Sequence, residues 1–414
     1  MTLRIAGLDP CTRCGFCLQS CPTFLVTGDE ADGPRGRIEL MRELAAGRLL
    51  ATDDKLGFHL DRCLGCRACE TVCPSGVEYG AALEEVRATV LNGRLRRLTR
   101  LVNYVMADST VQRMAFAGAR AVRPFSHLFS GGSRLGFTWG MLAATQPNGG
   151  PHLEGEVDAT VPQDAPHVAF FTGCIMSGLF SHVHEATMRV LRANGIVVHD
   201  VPGQRCCGAL YAHSGQHGEA VELARANIRA FLAIPDDIQI VVNSAGCGAL
   251  LKEYARLLEG DPLEDDARAF AERVRDVSEV LSQTGVRPGH PLQLRVAYDP
   301  PCHLQHAQRV VDPPLEMLHA IPGVEVLTHS EADLCCGSAG SYSLSEPGLS
   351  RAVLDRKVEA LLAAQPDVVA TGNPGCIMQI GAGLRATGSD IPVVHPVELL
   401  DRSYRSATAP GKEA

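Results

Sequence analysis

Nothing in these 414 residues approaches the run of about eighteen consecutive apolar side chains that a membrane-spanning helix needs. Apolar residues make up 45% and charged residues 21%, both globular values, so any membrane contact is expected to be peripheral. A surplus of basic charge is also missing. With 38 lysines and arginines against 47 acids, the net charge of −9 argues against general nucleic-acid binding, which needs a basic surface to displace counterions. The start, MTLRIAGLDPCTRC, has no charged-then-apolar leader and no small-residue cleavage site. The expected location is therefore a reducing cytosol, with the inner face of the cell membrane as the peripheral option, and there thiols serve metals rather than disulfides. A dinucleotide fingerprint is lacking too. The nearest match, GAGLRA at 381–386, starts inside a helix after Cys376 without a βαβ context, and reads as a small-residue packing face.

What the chain has in quantity is cysteine, sixteen in all. Eight lie in two N-terminal blocks, Cys11, Cys14, Cys17, Cys21 and Cys63, Cys66, Cys69, Cys73, each followed by proline. Each block reads C-x2-C-x2-C-x3-C-P, the bacterial ferredoxin run, in which three close cysteines grip one [4Fe-4S] cube and the fourth ligates the other. Two clusters are expected, one held by Cys11, Cys14, Cys17 and Cys73, the other by Cys63, Cys66, Cys69 and Cys21. Structural zinc usually takes paired CxxC motifs or adds histidine, and neither block contains a histidine. Between the blocks lies GDEADGPRGRIELMRELAAGR, where Gly33-Pro34 makes a turn and Ile38, Leu40, Met41 and Leu44 recur at near-helical spacing.

From residue 161 the chain repeats itself. The apolar runs HVAFFTGC and LRVAYDPPC end at Cys174 and Cys302. Each half continues to a Cys-Cys-Gly, Cys206-Cys207-Gly208 and Cys335-Cys336-Gly337, then to a third run, IQIVVNSAGC or DVVATGNPGC, ending at Cys247 or Cys376. The offsets are 128, 129 and 129 residues. This regularity implies two copies of a β-α-β-α-β-α unit with parallel sheets. The cysteines fall at carboxyl ends of strands, where open α/β sheets bind ligands and helix N-termini favour anions. Asp299 before Pro300 and Pro301 fits a helix-capping acid, and Gly208 and Gly337 keep side chains out of a crowded turn. These eight cysteines have three readings: one or two further clusters, a zinc, or duplicated small core residues.

The fold class is thus multidomain, an N-terminal α-helical ferredoxin-like two-cluster domain followed by a duplicated α/β domain. The expected divisions are 1–93 for the two-cluster unit, 94–160 for a basic helical connector and the linker GGPHLEGEVDATVPQDAP, 161–288 for the first α/β repeat and 289–414 for the second. In the connector, Arg94, Arg96, Arg97, Arg100, Arg113, Arg120, Arg123 and Arg134 face the single acid Asp108 and are interleaved with apolar residues. Contact with anionic lipid, contact with an acidic partner, and an ordinary solvated helix are the readings of that pattern. His303 and His306, with His182 and His184 in the first repeat, are either acid-base or metal-binding groups near a quinone, or hydrogen bonders to backbone or a cluster sulfur. Arg35 and Arg37 balance cluster charge, meet an acidic partner face, or are solvated.

The order Cys, Cys-Cys-Gly, Cys resembles the CCG domains of the heterodisulfide reductase B subunit and related oxidoreductases. Those domains usually close with C-x2-C, whereas here Ser244 and Asn373 stand for the first cysteine of the closing pair, so five potential ligands become four. That departure counts against the non-cubane cluster of that family and against a self-contained disulfide reductase. Over both cysteine blocks, GDEADGPRGRI, LDRCLGCRACETVCPSGV, QRCCGA, AGCGALLKEY, LQHAQ and LCCGSAGSY, the chain is similar to the iron–sulfur subunit of glycolate oxidase. Subunits for lactate, anaerobic glycerol-3-phosphate and other 2-hydroxy acid dehydrogenases share the plan. The resemblance implies an electron-transfer subunit without catalytic residues of its own. Glycolate would be oxidised to glyoxylate on a partner chain carrying FAD, and electrons would pass on to a quinone or other acceptor.

Overall fold

A computed structural model describes residues 5, 7–90, 94–129, 131, 133–147 and 165–405, with backbone alone for 94–98 and 127. Most of the linker expected at 149–166, and the side chains of Arg94, Arg96 and Arg97, lie outside the described residues.

The N-terminal unit is helical because its apolar residues recur at helical spacing between turn-forming glycines and prolines. In helix Pro34–Ala45, Ile38, Met41 and Leu44 are buried. They meet Leu56 and Leu60 of helix Asp54–Asp61 and Ala82, Leu83 and Val86 of helix Tyr79–Thr89 in one core. The cysteine blocks loop around that core by the same path. Backbone φ is positive at Arg13 and Gly15 in the first block and at Gly65 and Arg67 in the second, two residues apart each time. Left-handed residues at matching positions curl each loop so that its thiols face inward.

Helices Arg94–Ala107, Ser109–Val122 and Arg134–Ala143 follow, with a 3-10 turn at Arg123–Leu128. Asp108 starts the second by accepting from Thr110 N and Val111 N at 3.0 and 2.9 Å. Among the described residues no helix is long and apolar enough to cross a membrane.

Two four-stranded parallel sheets come next. The first orders β1 (His167–Phe171), β2 (Val197–Asp200), β3 (Gln239–Val242) and β4 (Val274–Asp276) as β2-β1-β3-β4. The second orders β5 (Leu294–Tyr298), β6 (Val324–Leu327), β7 (Val368–Ala370) and β8 (Val393–Val394) as β6-β5-β7-β8. Sequence reading anticipates three strands in each; β4 and β8 are the additions, too short and too weakly patterned to stand out. Register is shared as well, since Val168 pairs with Val198 and Gln239, and Val296 with Val326 and Val368. Alternation along β1 splits its side chains. Val168 and Phe170 enter a core shared with Val296, Val369 and Ile380 of the second repeat, while Ala169 and Phe171 enter a core private to the first. The two repeats are therefore welded through one apolar interior. The GAGLRA run lies in helix Pro374–Ala386 as packing surface: a Cβ on Gly381 would meet Ala144 Cβ at 2.7 Å, and one on Gly383 would meet Val358 at 2.7 Å.

In each sheet the order reverses about the first strand, which opens a crevice at the carboxyl ends of β1 and β3, or β5 and β7. Each Cys-Cys-Gly turns into it with a left-handed glycine, φ 90° at Gly208 and 85° at Gly337. The reason for glycine is conformational and steric rather than ligand approach. An added Cβ would come to 3.4 Å from Ala220 O at Gly208 and to 2.6 Å from Ser350 O at Gly337.

Gly337→Ala is expected to lower the thermal midpoint clearly more than Gly208→Ala. Both carry the left-handed penalty of about 1–2 kcal/mol, but only the former also overlaps a backbone oxygen; equal shifts in paired melts would show that Ser350 yields. A second prediction concerns Asp276, which caps helix Val277–Thr284 by accepting from Ser278 N at 2.9 Å and whose carboxyl burial pushes up from 3.8 to about 6. The folded state binds that proton more tightly than the unfolded one, so this carboxyl weakens folding as pH rises from about 4 to 6. Asp276→Asn keeps the cap and removes the titration. Denaturation across that range should show the variant gaining on wild type, by at most about 3 kcal/mol.

Candidate functional site

Cys11, Cys14, Cys17 and Cys73 line one small cavity under Pro34, Arg35 and Ile38. Cys21, Cys63, Cys66 and Cys69 line a second, with Thr23, Arg37 and Tyr79, and Cys69 also borders the first. The structure thus brings the last cysteine of each block to the other block. Neither lining contains a carboxylate or an imidazole, so thiolates are the only anionic donors, the soft set that suits iron–sulfur clusters.

Charge explains what surrounds them. Burial pushes the Cys17 thiol up to about 11 and raises Cys66 and Cys69 well above the usual range. At Cys63 burial works in the same direction, but the Arg37 and Arg87 guanidinium charges and a 3.4 Å bond from Gly65 N outweigh it and lower the thiol. Arg37 is fully buried, which removes the solvated reading of this residue. It donates from Nε to His59 O at 2.7 Å and from Nη1 to Thr23 Oγ1 at 3.1 Å, with the buried Asp32 3.7 Å from Nη2. Asp32 is in turn held by Arg62 and by His59 Nδ1 at 2.9 Å. Arg35 is different: it pairs with Glu30 at the surface and reaches Arg13 O at 3.2 Å.

In the repeats, all eight remaining cysteines border one cavity of about 250 Å³. The thiols gather by fours. In the first repeat Cys174 and Cys206 lie 3.5 Å apart and Cys207 and Cys247 3.3 Å; in the second Cys302 and Cys335 are 3.9 Å apart. The neighbouring Cys335 and Cys376 thiols hold Cys336 down to about 5, and the Cys174 thiol lowers Cys206 in the same way. Thiols gathered this closely, in a cavity that also offers helix N-termini, fit a metal centre better than they fit inert core. Ser244 and Asn373 show what became of the missing fifth thiols. Ser244 is buried, while Asn373 donates to Cys376 Sγ at 3.5 Å and accepts from Gly246 N at 3.1 Å, bracing one closing loop against the other.

The histidines divide by role. His306 bridges Thr71 Oγ1 at 3.0 Å and Asp333 O at 2.8 Å, and His184 donates to Thr172 O at 2.9 Å, so both are structural. His182 lies 3.6 Å from Glu398. His303 Nδ1 is 3.6 Å from Cys302 Sγ, and its ring packs 5.1 Å from His213 at the cavity wall. Asp299 is no helix cap; it accepts from the buried Lys357 Nζ at 2.6 Å, directly behind the second Cys-Cys-Gly. Neither Lys357 nor Arg87 stood out in the sequence. The available signal was position: Lys357 falls on the buried stripe of Val353, Leu354 and Leu361, and Arg87 on that of Leu83 and Val86.

The helical unit docks on the cysteine edge of the sheets. Arg67 pairs with Glu253, Arg87 donates to His213 O at 2.9 Å, and Tyr342 donates to Arg62 O at 2.9 Å. Cys66 and Cys335 share a buried cluster with Leu64, Ala68 and Tyr342, against which Cys302 packs. The four thiol sets therefore form a continuous series: the first block's cavity, the second block's, the second repeat's set and the first repeat's set.

Comparison with known proteins agrees with this plan. Residues 7–77 match the model of a 4Fe-4S dicluster domain, and 168–252 and 296–381 each match that of a cysteine-rich domain. A probable glycolate oxidase iron–sulfur subunit of Bacillus subtilis (strain 168) is 35% identical over 94% of this chain and 92% of its own length. The glycolate oxidase iron–sulfur subunit of Escherichia coli (strain K12) is 33% identical over 96% and 94%. A lactate utilization protein A of Oceanobacillus iheyensis is 30% identical over 56% of this chain and 96% of its own. With one dicluster domain, two cysteine-rich domains and relatives that match from end to end, the chain belongs to the family of glycolate oxidase iron–sulfur subunits.

Proposed function

We propose that this chain relays single electrons from a flavin-bearing partner that oxidises glycolate to an acceptor at or beyond the Cys-Cys-Gly cavity. The observation that carries the reading is the unbroken series of thiol sets running inward from the surface. Cys14 is exposed beside Phe16, which is 67% exposed, so the first block offers a docking edge to a partner. Cys63 and Cys66 of the second block are buried, and Cys66 belongs to the cluster that contains Cys335. Asn373 and Gly246 then tie the second set to the first. Clusters held at such thiolates supply one-electron transfer at potentials set by charge, hydrogen bonds and solvent access. The chain's own part is to hold the thiolates, balance their charge with Arg37, Arg87 and Lys357, and exclude water. In this assignment Cys11, Cys14, Cys17 and Cys73 hold one [4Fe-4S] cluster and Cys63, Cys66, Cys69 and Cys21 the other.

Contact distances carry a second reading for the repeats alone. Thiols 3.3–3.9 Å apart also match the edges of a four-thiolate tetrahedron around one zinc, about 3.8 Å for bonds of about 2.3 Å.

Two measurements test this. Mixed anaerobically with its flavin-bearing partner, the chain should lose visible cluster absorbance on addition of glycolate; unchanged absorbance with an active flavin subunit would sink the relay. Metal analysis should find more than about eight irons in wild type, falling to about eight when Cys206, Cys207, Cys335 and Cys336 become serine. About eight irons with zinc in wild type, and zinc alone lost in the variant, would favour the second reading.

A further inference from the structure

The fifteen large apolar side chains most exposed among the described residues are not spread evenly. Eight of them lie between Leu101 and Leu135. Within that stretch Met114, Val122, Phe125 and Phe129 recur at three-, four- and eight-residue spacings through the helix Ser109–Val122 and the turn after it, and Leu128 and Leu135 stand beside them. Their exposures run from 41% at Val122 to 77% at Leu135. Packing does not hold them there, because the opposite side of the same segment is already committed. Phe116 fills the slot above Gly178, where a Cβ would come within 1.9 Å of its ring, and Arg123 donates to Thr145 O at 3.0 Å. Phe137 lies under the Arg351 guanidinium at 5.2 Å. The outer side is thus a preformed platform rather than a loose helix.

Its charge is equally one-sided. On a chain of net charge −9, residues 109–153 contain Arg113, Arg120, Arg123 and Arg134 and no acid. Arg113 and Arg134 are exposed, while Arg120 donates to Gly178 O at 3.1 Å on the inner side. Bulky apolar groups that protrude from a segment carrying arginines and no carboxylate of its own complement a layer with an apolar interior and an anionic face. A protein partner's acidic patch would answer the arginines but not the phenylalanines and leucines at the tip.

From this we infer that the face formed by Met114, Val122, Phe125, Leu128, Phe129 and Leu135 docks on the surface of an anionic lipid bilayer, with the aromatic and leucine side chains in the headgroup–acyl boundary and Arg113 and Arg134 on phosphate. Helix Arg94–Ala107, which leads into this face, borders the Cys-Cys-Gly cavity with Thr99 and Arg100. Docking would therefore set the cavity mouth close to the lipid. The contact goes beyond the relay reading and does not depend on it.

Flotation of the full, cluster-loaded chain tests it, with vesicles of phosphatidylcholine containing phosphatidylglycerol and with phosphatidylcholine alone. The chain should float with the anionic vesicles and much less with the neutral ones. Arg113→Gln with Arg134→Gln should weaken binding about thirtyfold, at about fivefold per arginine, and Phe125→Ser with Phe129→Ser should abolish it, both at wild-type iron content. No flotation with anionic vesicles, or flotation that neither variant changes, would overturn the inference. So would binding lost only in the arginine variant, which marks a bare charge contact, or protection of Phe125 and Phe129 by the flavin-bearing partner with no lipid binding. Since the assay needs neither glycolate nor flavin, its failure leaves the relay standing, and a failed relay leaves the lipid contact standing.

Discussion

Sixteen thiols gathered inside one chain confront it with buried negative charge, and the positions of its other charged groups follow from that constraint. A thiolate in an apolar interior is unfavourable unless a cation or a metal shares its field. The direction of each thiol's shift shows where the protein supplies the cation itself. Cys66 and Cys69 are raised by burial, whereas Cys63, within reach of Arg37 and Arg87, is lowered. Arg37 would be as costly as the thiolates were it alone. Asp32 therefore stands behind it, and Arg62 and His59 stand behind Asp32, so that charge is neutralised in steps from the cavity out to the surface.

The repeats meet the same constraint in two ways. Gly208 packs on Ala220 and Gly337 on Ser350, and seven residues beyond each partner come Asn227 and Lys357, which are therefore equivalent. Asn227 donates to Cys206 O at 3.0 Å and shares a bond with Tyr254, which donates to Cys207 O at 2.8 Å, so the first set is backed by neutral dipoles. Lys357 with Asp299 backs the second set with an ion pair, and His303 adds a ring beside Cys302. Duplication copied the thiols and the turns while the electrostatics behind them diverged. The two sets accordingly differ in the energy with which they hold negative charge. The set with the ammonium and imidazole is the one that adjoins the helical unit.

That history also explains what could be read from the sequence. Cysteine spacing and the offsets of the repeat are covalent facts, so the ferredoxin-like blocks, the parallel sheets and the crevice position of each Cys-Cys-Gly were legible. The crosswise approach of Cys73 to the first block and Cys21 to the second was legible only as a motif habit, and the loop geometry at Arg13 and Arg67 was not legible at all. For Arg37 the sequence leaves charge balance and a solvated surface position open, and burial decides for the first; Asp299 reads as a cap and is instead the partner of Lys357. Sequence patterns assign charge to the surface by default, and only three-dimensional packing shows a guanidinium or carboxylate whose partner lies far along the chain. Ser244 and Asn373 read as losses in the sequence; in the structure Asn373 is a brace between the repeats.

The connector shows how the parts keep their alignment. Asn103 donates to Leu210 O, Ser214 Oγ and Gln216 Oε1 at 3.1, 2.9 and 2.7 Å, fixing the first long connector helix on the loop after Gly208. Phe116 then keys into Gly178 after β1, and helix Arg134–Ala143 ends against helix Pro374–Ala386 of the other repeat, where a Cβ added to Gly140 would come to 3.3 Å from Ala382. One segment thus touches both repeats while the helical unit is clamped on their cysteine-bearing edge by Arg67, Arg87 and Tyr342. Electron transfer over a series of sites needs fixed separations more than it needs motion. A strap that buries small residues against glycine on its inner side supplies that rigidity with its backbone and apolar contacts, and leaves its outer side chains free for a surface that the sheets and clusters do not use.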